Sequence, residues 1–322
     1  MWEGFVERLW GWGRSSLKWL LHAWFGTCEL ERVCEGKRPH SKHMSQRFTS
    51  LLHRSKRLRT WSNIIFHHHS FNTRSASDFI LKTKQIDAAA KPYTAANVNL
   101  CLRDLRIINI AASKLEATKK RTFDPTSKEH VSLLEQLWKS LMTDSLFPGL
   151  QSQDWGLVGF QGNDPSTDFR GMGILGLQQL AWFCANDTKA ASSVLSVSLH
   201  ERRYFPFSAT SIVFTSLVCD LLHEQRLHHL LIATLADSAL APPAPFSSST
   251  APATAGVDEV SAEEKRQAAQ LLERLHRLHA ELYTEFSSLW EERDPQSVMD
   301  FGRIFGEFKI RVHARLPLLP RP

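Results

Sequence analysis

The 322-residue chain lacks any paired-cysteine pattern. Its five cysteines, Cys28, Cys34, Cys101, Cys184 and Cys219, are odd in number and include no CxxC. A disulfide framework and a Cys-rich zinc site are therefore not expected, and a reducing compartment, cytosol or nucleus, is the natural reading. No run of about 18 uncharged apolar residues occurs, so no transmembrane helix is expected. The start makes a poor signal peptide, because Met1-Trp2-Glu3-Gly4-Phe5 has no basic n-region and charges recur at Glu7, Arg8, Arg14 and Lys18. Neither a myristoylation signal at Met1-Trp2 nor a prenylation signal at Arg321-Pro322 is present. Acid is missing from one stretch: residues 37–77 hold nine Lys/Arg and no Asp or Glu. The remaining 30 basic and 33 acidic residues nearly balance, so the formal charge of +6 belongs to that segment and not to the fold.

What is present suits a globular protein of one or two domains, with 43% apolar and 22% charged residues. Residues 1–36 read as an amphipathic N-terminal segment with Trp2, Trp10, Trp12, Trp19 and Trp24 at roughly helical spacing. Such a segment either lies at a membrane interface or docks on the protein's own core. Residues 37–77, with His67-His68-His69, read as a flexible, exposed basic segment. Three consecutive histidines converge poorly on one ion, so no metal is expected. The segment could reinforce binding to anionic lipid. Its aromatics are too scattered for a nucleic-acid stacking platform.

From residue 78 the periodicity is helical. Residues 78–128 form a lead-in, with Val98, Cys101, Leu102, Leu105, Ile108 and Ala112 on one face of a helix over 95–118. Asp124-Pro125 predicts an N-cap with Pro at the first helical position. The stripe Val131, Leu134, Trp138, Leu141 marks that helix, which should stop before Pro148-Gly149. Pro206–Leu222 is apolar enough for a buried helix, although Ile212-Val213 leaves a strand open, and Val194–Leu199 alternates like a strand. Residues 241–260 read as a flexible loop inside the main domain. Ser261-Ala262-Glu263-Glu264 is a capping box before Leu271, Leu275, Leu278 and Leu282. Asp294-Pro295 should open a last helix with the stripe Val298, Phe301, Phe305, Phe308, Val312. The expected fold is all-α.

The densest signal is Trp155-Gly-Leu-Val-Gly-Phe-Gln-Gly-Asn-Asp-Pro-Ser-Thr-Asp-Phe-Arg-Gly-Met-Gly-Ile-Leu-Gly-Leu, ending at Leu177. Its Gly, Asn, Asp and Pro cluster at 159–165 is loop chemistry. Thr167 or Asp168 should cap a buried helix over Ile174–Cys184, placing Arg170 in the first turn, where the helix dipole disfavours a cation. That oddity has two readings: a carboxylate bridge that pins the loop, or a free arginine with a function. Gly171-Met-Gly173-Ile-Leu-Gly176 matches G-x-G-x-x-G but follows no strand, so it is not a dinucleotide site; close packing of a neighbouring backbone explains the glycines better. His223-Glu224 with His228 has the wrong spacing for a zincin.

Residues 159–177, G-F-Q-G-N-D-P-S-T-D-F-R-G-M-G-I-L-G-L, resemble the signature of the ELMO domain, with Trp155 and Leu180 also in place. The resemblance extends over 129–316. The opening, including Trp19-Leu20-Leu21 and Gly26-Thr27-Cys28-Glu29-Leu30-Glu31-Arg32, is similar to the stand-alone ELMO domain-containing (ELMOD) proteins. The resemblance implies a multi-helix ELMO-type domain behind a helical, basic extension. It also implies GTPase-activating activity on a GTP-bound Arf/Arl-class small GTPase, with Arg170 as the arginine finger. The chain is then a regulator rather than a free-standing enzyme, with no cofactor, cytoplasmic, and in peripheral membrane contact through residues 1–77. Trp155 and Phe160 are expected to anchor the loop. Asp164, Asp168, Gly171 and Gly173 are expected to position it or touch the partner. Gln161 either touches the partner's active site or packs the loop as an amide. The competing reading is an adaptor that binds a GTPase without speeding hydrolysis.

Overall fold

The computed structural model describes residues 27–35, 40–68, 71–238 and 260–316. The Trp-rich start and the expected loop at 241–257 lie outside the described residues. The described residues are all-α and contain no strand. None of their helices is long and apolar enough to cross a membrane. The helices are α1 (Glu29–Cys34), α2 (Lys42–Arg54), α3 (Arg59–His67), α4 (Thr73–Thr83), α5 (Pro92–Lys120), α6 (Lys128–Leu141), α7 (Gly173–Asn186), α8 (Thr188–Ser198), α9 (Phe207–His223), α10 (His228–Ser238), α11 (Ala262–Arg293) and α12 (Phe301–Arg315). They divide into two compact units, one built on residues up to Asn109 with Ile232–Ala262, the other on Ile110–Leu231 with Glu263–Leu318.

The first unit corrects the expectation of a flexible basic segment. Residues 42–54 and 59–67 are helical, and Met44, Phe48, Leu51, Leu52, Leu58, Ile65 and Phe66 are buried. These apolar residues recur at three and four, the spacing of one helix face, and the basic residues between them fall on the other. Charge masked the pattern because it was read as a run instead of by its period. Arg47, Lys56, Arg57 and Arg59 remain exposed.

In the second unit α7 is the central helix. It is buried nearly all round, at Ile174, Leu175, Leu177, Leu180, Ala181, Phe183 and Cys184, which is why its sequence shows little amphipathic pattern. Helices α6, α8 and α9 pack against it. Phe214 of α9 meets Tyr283 and Phe286 of α11 and Phe305 and Phe308 of α12 at ring centroids 5.1–5.7 Å apart, and this aromatic cluster forms the rest of the core.

Several local expectations change. The α6 cap is Ser127, whose Oγ accepts from His130 N, while Asp124 closes a turn by accepting from Thr126 N. That helix ends at Leu141, ahead of Pro148-Gly149 as expected. Residues 194–198 are helical rather than strand-like, with Val194, Leu195 and Ser198 inward at helical spacing, and of the two readings left open for 206–222 the structure takes the buried helix, Phe207–His223. Asp294 does not open the last helix. It follows α11 at φ +41 and pairs with Arg202, whereas Ser297 caps the 3-10 turn that leads into α12. Val298 is consequently exposed, and Ile304, Phe308 and Val312 form the buried stripe.

One buried group makes the fold sensitive to acid. His279 of α11 is fully buried, its Nε2 donates to Ser211 O at 3.0 Å, and its Nδ1 has no partner among the described residues. Burial pushes its pKa down from 6.5 to about 4. Between those values the unfolded chain binds a proton that the native chain refuses, so stability rises with pH and is lost as pH falls through that window. The expected loss is about 1 kcal/mol per pH unit. Urea midpoints from pH 7 to 5 should fall for the native sequence and fall less for His279→Gln; equal slopes would remove His279 as the cause.

Candidate functional site

The residues from Gly149 to Met172 form two 3-10 turns, Gln153–Val158 and Pro165–Gly171, joined by a short loop. Asp164, and not Thr167 or Asp168, caps the second turn, accepting from Ser166 N at 2.9 Å. Arg170 therefore sits in the last turn of this 3-10 helix, not in the first turn of α7. It also lies two residues before Met172, the N-cap of α7, so it ends one helix at the threshold of the next.

The loop rests on a continuous aromatic shelf. Trp138 meets Trp155 edge-on, Trp155 meets Phe160, Phe160 meets Phe169, and Phe169 meets Phe123, at centroid distances of 5.3, 5.4, 5.7 and 6.0 Å. Trp155 is fully buried, and its indole N–H donates to Gly149 O at 3.1 Å. Trp155 and Phe160 thus occupy the core side of the loop. Polar ties complete the mounting: Ser152 N donates to Asn163 O at 2.9 Å, Ser208 Oγ to Val158 O at 2.6 Å, and Ala209 N to Gly159 O at 3.3 Å.

Asp168 crosses the loop. Its Oδ2 accepts from Gln161 N at 2.8 Å. Burial pushes its carboxyl pKa up, opposed by that N–H and by the nearby charge of Arg170. No ion pair forms between Asp168 and Arg170. Arg170 is exposed and, among the described residues, has neither a hydrogen bond nor a salt bridge. The carboxylate bridge that would have given it a purely structural role is absent. Gln161 is also exposed, and among the described residues only its backbone is engaged.

The glycines divide by what surrounds them. Gly173 has φ +53, and a Cβ there would meet Lys119 O at 2.2 Å and Arg121 O at 2.4 Å. Here a neighbouring backbone does approach, as the G-x-G-x-x-G spacing suggested; Gly176 instead faces the side chain of Ile212. Around Gly171 nothing lies within 4 Å of a built Cβ. Its lack of a side chain is not demanded by the packing of this chain.

Two contributors escaped the sequence reading. Phe169, 1% exposed, is the anchor immediately before Arg170. It was legible as the second of two Phe-polar pairs, Phe160-Gln161 and Phe169-Arg170. Leu157 is 53% exposed on the same turn that buries Trp155 and Val158, and no local pattern marks it.

One cluster elsewhere looks like a catalytic triad and is not. Ser45 Oγ lies 2.6 Å and Asp104 Oδ2 3.2 Å from the same nitrogen, His40 Nε2. A working relay holds the base through one nitrogen and takes the proton through the other. Burial alone would push His40 down, but Asp104 outweighs it and holds the pKa up at about 10. A permanently protonated imidazole is no general base.

Comparison with known proteins gives a consistent family. The ELMO/CED-12 family matches residues 113–305. The chain is similar to human ELMO domain-containing protein 2, 27% identical with 98% of this chain and 95% of the relative covered. It is similar to bovine ELMO domain-containing protein 1, 28% identical with 93% and 87% covered. Dictyostelium discoideum ELMO domain-containing protein B is 24% identical, with 92% of each chain covered. No solved structure matches.

Proposed function

Because this chain belongs to the ELMO/CED-12 family, we propose that it accelerates GTP hydrolysis on an Arf/Arl-class small GTPase by supplying Arg170 in trans. The observation that carries this reading is the state of Arg170. It is exposed, has no hydrogen-bond or ion-pair partner among the described residues, and projects from a turn whose preceding residue is locked in the core. In GTP hydrolysis negative charge spreads over the transferring phosphoryl group and the leaving oxygen. A guanidinium delivered from outside neutralises that charge, and its planar fork reaches two oxygens at once. Open space around Gly171 lets the turn approach a nucleotide without a side chain in the way.

The test is single-turnover hydrolysis on a panel of GTP-loaded Arf and Arl GTPases, with and without the full chain. Stimulation of one or more supports the reading. Binding without stimulation assigns the adaptor role instead.

The same reading includes a peripheral membrane contact on the basic side of the first unit. Arg47, Lys56, Arg57 and Arg59 are exposed on helices whose other face is buried, so deleting this segment would unfold it. Charge reversal is the cleaner test. Each basic residue near an anionic surface is worth about 1 kcal/mol. Replacing all four by Glu should abolish flotation with phosphatidylserine-containing liposomes; undiminished flotation would exclude this face.

A further inference from the structure

We propose that Gln161 is a second residue that the loop inserts beside Arg170, its amide orienting the water that attacks GTP in the partner's active site. The inference rests on the GTPase-activating reading above and adds a residue to it.

The loop presents two polar side chains by the same device. Each follows a buried phenylalanine: Phe160, 5% exposed, precedes Gln161, and Phe169, 1% exposed, precedes Arg170. The two rings are in edge-to-face contact, 5.7 Å between centroids at 83°. Consecutive Cα atoms lie about 3.8 Å apart, so Gln161 and Arg170 each start one residue from a shared buried anchor. With the rings turned inward, both next residues face solvent.

Their separation is fixed by Asp168. Its Oδ2 binds Gln161 N at 2.8 Å while its own backbone lies two residues before Arg170. The carboxylate is spent on the Gln161 backbone and not on the guanidinium, which leaves Arg170 free. Behind Gln161, Gly159 has φ +77 and lies so close to helix α9 that a Cβ would meet Phe207 N at 2.3 Å. The loop cannot slide without breaking that contact. Yet the amide of Gln161 makes no hydrogen bond among the described residues. A glutamine whose task was to pack the loop would use its amide to do so.

The two groups suit the two needs of the reaction. The water oxygen forms a bond to the γ-phosphorus. The bond to the β–γ bridging oxygen breaks and leaves its electron pair on GDP, and the water's proton ends on the released phosphate. Arg170, a cation, answers the charge on the phosphoryl and leaving oxygens. Gln161 is neutral and offers both an acceptor and donors. Its carbonyl oxygen accepts from the attacking water and its NH2 donates to a γ-phosphoryl oxygen. Nothing in Gln161 is consumed.

The experiment is single-turnover hydrolysis on the GTP-loaded GTPase with the full chain at saturation. Gln161→Ala is expected to lower the stimulated rate about tenfold or more. The half-saturating concentration and the urea midpoint should stay unchanged, because the side chain is exposed and makes no hydrogen bond among the described residues. Gln161→Asn, one methylene shorter, should not restore the rate. Complex formation with GDP plus aluminium fluoride, which mimics the transferring phosphoryl, should weaken in Gln161→Ala, while complex formation with a non-hydrolysable GTP analogue should not. A full rate in Gln161→Ala beside a collapsed rate in Arg170→Ala overturns this inference and leaves the function standing. Full rates in both overturn this inference and the supply of Arg170 in trans, while the stimulation itself would stand. A loss confined to half-saturation or to the urea midpoint returns Gln161 to a packing or docking role.

Discussion

Arg170→Lys is expected to lose most of the stimulated GTP hydrolysis while the protein folds normally. The side chain is exposed and has no partner among the described residues, so the substitution strands no buried group there. Charge is kept, but the planar fork becomes a single ammonium that cannot bridge two oxygens. Arginine fingers are worth roughly 10³–10⁵ in rate, about 4–7 kcal/mol of barrier. Removing bidentate geometry alone should forfeit a large part of that, and Arg170→Ala the whole. Single-turnover assays with matched urea melts separate the two effects. Unaltered stimulation by the lysine variant would mean that Arg170 acts as a docking charge or not at all.

Gly173→Ala is expected to be the most damaging single methyl group in the loop. Its backbone is in the left-handed region, which costs an L-residue roughly 1–2 kcal/mol. The new Cβ would also drive into the carbonyls of Lys119 and Arg121, backbone atoms that cannot rotate away. Overpacking of this kind adds about 1–3 kcal/mol. Ile174 N donates to Arg121 O at 2.8 Å, so the displacement would loosen the junction between α5 and the start of α7. Gly171→Ala, two residues away, should change stability by no more than about 0.5 kcal/mol, because its Cβ points into open space. Urea denaturation of the pair would show a large drop for one and none for the other. Equal midpoints would mean that the Arg121 carbonyl contact is not what Gly173 serves. In hydrolysis assays Gly171→Ala should reduce stimulation despite normal folding.

Much of the second unit was legible in the residues. The stripes Leu134-Trp138 and Leu271-Leu275-Leu278-Leu282 are buried as their spacing requires. The 159–177 signature located the loop, and Trp155 and Phe160 beside it are buried, since bulky aromatics next to loop residues have few destinations but the core. In the basic segment the charge run and the helical period of Met44, Phe48, Leu51 and Leu52 occupy the same residues, so composition points to solvent while spacing points to the core. The caps at Asp124 and Asp294 failed for a shared reason. An Asp before Pro supports a helix start and an independent turn equally, and the choice depends on whether Ser127 or Ser297 is free to cap instead.

The sequence by itself determined the all-helical character, the family and the position of the loop, because hydrophobic period and a long local signature are carried by near neighbours in the chain. The tertiary structure alone decided that Arg170 ends a 3-10 turn with no carboxylate among the described residues holding it, and that Asp168 spends its oxygen on Gln161. It also decided that Gly173 is required by carbonyls more than fifty residues earlier. Pairing and steric exclusion depend on which atoms meet across the fold, and no local spacing encodes that.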